Sequence, residues 1–192
     1  MPGDVLEALT RRRLGGAVLM LAGIVVAAVV LWPAGGRDDR SRSQPVRLVS
    51  VPQLGLALAH PSTWKQRVEG RVLRLRSADG SAVLTFSAPV RGRYPERVKA
   101  ALRRALLKRL DPAEVVRDGP GRLGSRRVAT FEIFGLAPNR KRVRALALVD
   151  STPYRTYAVT LLTPGRPSRR RLAEVQQILA TVRLTKPVRL KR

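Results

Sequence analysis

Between Leu14 and Trp32 the chain reads LGGAVLMLAGIVVAAVVLW, nineteen residues with no charge and almost no polar side chain. As a helix rising about 1.5 Å per residue, this run is about 28 Å long, close to the ~30 Å apolar core of a bilayer. A helix satisfies its own backbone hydrogen bonds in lipid, so the run is expected to span a membrane. A cleaved signal peptide is the rival reading, with Ala34, Gly35 and Gly36 as a weak cleavage site. The run is longer than the usual ~7–15-residue apolar region of such peptides, which favours an uncleaved anchor.

This run divides the chain. Residues 1–13 are expected to be a cytoplasmic tail, 14–32 the single spanning helix, and 33–45 a Pro-, Gly- and Ser-rich linker. A domain follows over 46–186, then a basic tail over 187–192. Arg11, Arg12 and Arg13 abut the run and are the topogenic candidates. By the positive-inside tendency they hold the N-terminus in the cytoplasm and place the domain outside, although Arg37, Arg40, Arg42 and Arg47 follow on the other side.

The domain is long enough to bury a real core. The absence of cysteine excludes disulfides, a thiol nucleophile and a cysteine-linked lipid anchor. Lys and Arg number 38 against 13 Asp and Glu, a net charge of +25. Such a charge attracts anionic lipid, cell-wall polyanions or nucleic acid. Mutational bias towards G/C-rich codons would produce the same excess of Arg, Ala, Gly and Pro.

Within the domain, Leu48–Val51 and Leu54–Ala59 are apolar and extended, and Pro61 opens a turn that brings Trp64 into the core. Lys65–Val68 starts a return strand. Leu73 and Leu75 alternate with Arg74 and Arg76, as in a half-buried strand, and Asp79-Gly80 turns the chain into a partner strand over 82–87. Pro95–Leu110 has apolar residues at helical spacing, with Val98, Leu102 and Leu110 on the buried side. A short strand is expected at Val115–Arg117, then a loop through Gly119-Pro120-Gly121. Strands over 127–134, 142–149 and 154–162 form a meander, the last two apolar on both faces and therefore central. Ser168 caps a final helix that runs to about Val182, and the residues after it are expected to be loosely held.

Short turns between consecutive strands imply a mainly antiparallel sheet, and two amphipathic helices can cover it. The stretches LALAHPSTW (56–64), SADGSA (77–82) and ILATVRL (178–184) resemble the PsbP-like fold. That superfamily includes the Ran-binding Mog proteins, periplasmic DcrB and actinobacterial LpqN-type lipoproteins. The resemblance covers roughly residues 48–186 and implies an α+β domain, an α/β/α sandwich used for binding and generally without catalysis. The helix at 14–32 would stand where the LpqN-type proteins carry a lipidated cysteine. No metal-ligating or Ran-contacting motif of the family can be matched here.

The residues themselves offer little chemistry. His60 is the only histidine, so a Ser-His-Asp triad would have to use it, and no nucleophile-elbow pattern is present. No catalytic, metal or cofactor site is expected, and the segment from Gly119 to Gly124 is not a phosphate loop. Three basic clusters are the candidate anion- or partner-binding residues. They are Arg103, Arg104 and Lys108 on the first helix; Arg140, Lys141, Arg142 and Arg144 around a hairpin tip; and Arg169, Arg170 and Arg171 in the first turn of the last helix. Cations in a first turn oppose the helix dipole, a cost that a bound anion would relieve and that water otherwise screens.

The expected function is a non-enzymatic, membrane-tethered extracytoplasmic module that binds a protein or an anionic lipid or cell-wall polymer. The alternative is a cytoplasm-facing, tethered nucleic-acid-binding protein. The few aromatics and the lack of a recognition motif speak against it.

Overall fold

The computed structural model describes residues 45–188. The expected cytoplasmic tail, the spanning helix at 14–32, and the linker up to residue 44 lie outside them. Among the described residues no helix is long and apolar enough to cross a membrane.

The elements run β1(Val46–Val51), β2(Leu56–Pro61), β3(Lys65–Glu69), β4(Val72–Arg76), β5(Val83–Arg91), α1(Pro95–Leu107), β6(Ala113–Leu123), β7(Arg126–Leu136), β8(Arg142–Ser151), β9(Arg155–Pro164), α2(Arg169–Ala180) and β10(Arg183–Leu184). Seven strands form one antiparallel sheet in the order β3-β4-β5-β9-β8-β7-β6, and β1-β2-β10 form a smaller one. The fold is α+β, with a mainly antiparallel sheet and two helices, as the pattern of short turns predicted.

Alternation along the strands builds two cores. Phe131, Ile133, Ala145, Ala147 and Ala158 point to one face, where α1 lays Val98, Leu102 and Leu106 on them. The alanines leave room for the helix. Leu73, Leu75, Leu84, Phe86, Leu146, Leu148 and Val159 point to the other face. There α2 supplies Val175, Ile178 and Leu179, and the small sheet supplies Leu56 and Leu58. β8 and β9 lie inside the sheet with both faces buried, as expected from their two-sided apolar character.

Three sequence expectations are corrected. The segment read as a loop at Gly119-Pro120-Gly121 continues β6, which is eleven residues long and pairs with β7. β6 is an edge strand, where proline's missing N–H removes no ladder bond. The first helix stops at Leu107 rather than Leu110. The residues after α2 are not loose: Arg183 and Leu184 pair with Ala57 and Leu56, and the Val188 N–H donates to the Pro52 carbonyl at 2.9 Å.

Candidate functional site

The basic residues nominated from the sequence have different fates. Arg11, Arg12 and Arg13 lie outside the described residues. In the last cluster, Ser168 does cap α2 by accepting from the Arg171 N–H at 3.2 Å. Arg171 is nevertheless committed internally. It pairs with Glu174 one turn on and with Asp79 at 2.9 Å, and its guanidinium lies 5.5 Å from the centre of the Trp64 ring. Arg170 pairs with Glu174 at 3.2 Å, and Arg169 stands in solvent. For Arg170 and Arg171 the expected dipole cost is met by protein carboxylates.

The hairpin cluster also divides. Arg144 pairs with the buried Glu132. Arg140, Lys141 and Arg142 remain exposed, Arg140 in the left-handed conformation (φ 62°) at the tip between β7 and β8. On α1, Arg103 and Lys99 reach Asp118 of β6. That fixes which flank leans to β6. At 100° per residue, Arg104 then points away from the buried stripe of Val98, Leu102 and Leu106, and Lys108 is the C-cap residue on the solvent side.

Elsewhere the sheet presents a surface the sequence did not assemble. α1 covers β7, β8 and β9, and its core takes no residue from β3 or β4. On the uncovered part of this sheet face Arg67 pairs directly with Arg74, and Lys65 directly with Arg76. Like charges facing each other across a ladder are destabilising. One acid is at hand: Glu69, which holds Arg67 in an exposed pair of small worth. The Arg74 row continues into Thr85. Arg74 Nε and Thr85 Oγ1 are both buried without a protein hydrogen-bond partner, and Thr85 has no solvent exposure at all. The sequence showed Arg74 and Arg76 on the polar side of a strand, but not that β3 would set two more cations against them.

A second concentration forms where Arg91 pairs across strands with Arg155. Burial, first, and then Arg71 and Arg91 push the Arg155 guanidinium below its ordinary pKa, while it donates to the Gln53 carbonyl at 2.7 Å. His60 is buried, with Nδ1 2.7 Å from the Pro61 carbonyl and Nε2 3.2 Å from Gln66 Oε1, beside no nucleophile. Among the described residues no group of His, Asp and Glu could hold a metal ion. A cavity of about 330 Å³ lies between α2 and β6, floored by Leu146 and Leu148.

The Asp79 turn makes a prediction. The Ser77 hydroxyl (2.6 Å), then the Ser81 N–H (3.0 Å), and then Arg171 hold its carboxyl far below the usual range, against the opposing effect of burial. A depressed carboxylate contributes stability above its unfolded pKa of about 3.9 and loses it as pH falls below that value. The melting temperature of Asp79→Asn is therefore expected below that of the wild type at pH 7, with the gap narrowing between pH 5 and pH 2. A gap that stays constant across that range would refute the assignment.

No protein-family model and no curated protein matches the chain. Solved structures do. One is a protein of Bacteroides thetaiotaomicron, 18% identical, aligned over 72% of this chain and 48% of that one, with a TM-score of 0.49. The chain thus spans about half the length of that protein. Another is the cyanobacterial PsbP (CyanoP) of Synechocystis, 14% identical, aligned over 78% of this chain and 98% of that one, with a TM-score of 0.49. A PsbP thus stands among the similar structures, the family whose resemblance was drawn from residues 56–64, 77–82 and 178–184.

Proposed function

We propose that this protein is a membrane-tethered, extracytoplasmic binding module of PsbP-like architecture, without catalysis, whose ligand is an anionic component of the cell envelope. The observation that carries this reading is the doubled like-charge ladder, Lys65 with Arg76 and Arg67 with Arg74, left open beside α1. A protein surface free of function would gain stability by alternating signs there. The apolar run at 14–32 and the short linker after it would keep this face close to headgroups and wall polymer. At such a surface each Lys or Arg is worth about 1 kcal/mol of attraction.

Two measurements test the reading. A reporter fused to the C-terminus is expected to be active only outside the cytoplasm, and activity confined to the cytoplasm would overturn it. The full chain in zwitterionic nanodiscs is expected to capture vesicles rich in phosphatidylglycerol at low salt and to release them by about 0.5 M salt, where the screening length is only a few ångströms. Equal capture of zwitterionic vesicles would remove the anion from the proposal.

A further inference from the structure

On the opposite face of the sheet, between α2 and the edge strand β6, lies the 330 Å³ cavity. Residues 117, 119, 121 and 123 share this face, set opposite Glu132, Thr130, Val128 and Arg126. Two of those four positions are glycine. A Cβ on Gly121 would strike the Thr130 methyl at 2.2 Å, so glycine there permits close packing. A Cβ on Gly119 would meet nothing within 4 Å. Gly119 itself does not line the cavity; on the β6 side the lining comes from Arg117, Pro120, Gly121 and Arg122. The floor is apolar (Leu146 and Leu148 of β8), and Leu179 of α2 forms a wall. The volume is at the small end of ligand-binding pockets, and the lining joins an apolar floor to a few polar groups, as such sites do.

The rim has a sign. Arg117 sits at one end, exposed and opposite Glu132, but Arg144 already holds that carboxylate. Two cations therefore share one acid, leaving a positive charge in excess at the mouth. Arg122, exposed, lines the cavity as well.

We infer that this groove is a second site, separate from the β3–β4 face, which takes a single-chain anionic amphiphile. The alkyl chain would lie on Leu146 and Leu148, and the headgroup would face Arg117. The charge excess selects an anion over a cation, and the apolar floor selects a chain over a bare ion.

The probe is a dodecyl phosphate carrying a photoactivatable diazirine near the chain end, given to the full-length protein in zwitterionic nanodiscs and mapped by peptide mass spectrometry. Labelling is expected on the peptides bearing Leu146, Leu148 and Leu179. Thr130→Phe, at a residue that lines the cavity, fills the space from the sheet side and should cut that labelling at least tenfold, with labelling of other peptides unchanged. Ala180→Trp, which intrudes from the helix side, should do the same and guards against a folding defect in either variant alone. Arg117→Glu should weaken labelling and narrow the preference over a dodecyltrimethylammonium analogue. Groove labelling that survives both filling variants would overturn the inference. So would equal labelling by the cationic analogue, or complete displacement by inorganic phosphate alone. Charge reversal at Lys65 and Arg67 should leave groove labelling intact, so failure of the envelope-binding reading and failure of this one are separately visible.

Discussion

Trp64→Ala is expected to remove about 4 kcal/mol of stability, the largest effect of any single substitution in the domain. Trp64 follows the Pro61 turn, is 2% exposed, and lies in the core between the sheet and α2. Its indole Nε1–H donates to Glu174 Oε2 at 3.0 Å, and Arg171 stacks over the ring. Truncation would leave a cavity too large for neighbours to fill and would remove one donor from a buried carboxylate. Trp64→Phe separates the two parts. It keeps most of the apolar volume and loses the N–H, and Glu174 retains Arg170 and Arg171, so the expected cost is only about 1 kcal/mol. Denaturant unfolding followed by circular dichroism checks both. A Trp64→Ala loss below about 1.5 kcal/mol would mean that the turn does not hold α2 to the sheet.

That node also marks the limit of what could be read in advance. Features set by local chemistry were legible: the Asp79-Gly80 turn, the Ser168 cap, the stripe Val98–Leu102, and the two-sided apolar strands that became β8 and β9. Features set by pairing between distant segments were not. Nothing near Arg171 in sequence announces Asp79, and the three arginines at 169–171 looked like one basic cluster. In the fold Arg171 is drawn in beside Trp64 and Glu174, Arg170 reaches Glu174 from an exposed position, and Arg169 stands in water. The same holds for Arg144, whose partner Glu132 sits on the neighbouring strand. The length of β6, expected only at Val115–Arg117, was not legible for a different reason. Gly119-Pro120-Gly121 has the composition of a loop, and only its position at the sheet edge makes it acceptable as a strand. Gly121 of that strand lines the groove. The like-charge face of the sheet required the β3–β4 register, which pairs Lys65 with Arg76 and Arg67 with Arg74.

Lys65→Glu combined with Arg67→Glu is expected to abolish capture of anionic vesicles while leaving the domain folded and soluble. The design answers a specific objection. β3 is an edge strand, exposed along its whole length, and charged residues protect such edges from pairing with other chains. If Lys65 and Arg67 serve only that purpose, glutamates serve it equally well. Reversal then changes nothing but the sign of the field. Across the ladder the new glutamates face Arg76 and Arg74, so two like-charge pairs become two opposite-charge pairs, each favourable by roughly 0.2–1 kcal/mol. The exposed Arg67–Glu69 pair is lost, at small cost. Stability should therefore be unchanged or slightly higher. Binding should move the other way: losing two surface cations removes about 2 kcal/mol, roughly thirtyfold in affinity, before repulsion from the new carboxylates is added. Vesicle capture and thermal unfolding, measured on one preparation, decide the matter. Capture equal to wild type would assign these cations to edge protection. Capture lost together with unfolding would also defeat the argument, since the ladder would then be needed for the fold. Only loss of capture with the fold intact fits a face whose like charges are kept for a ligand.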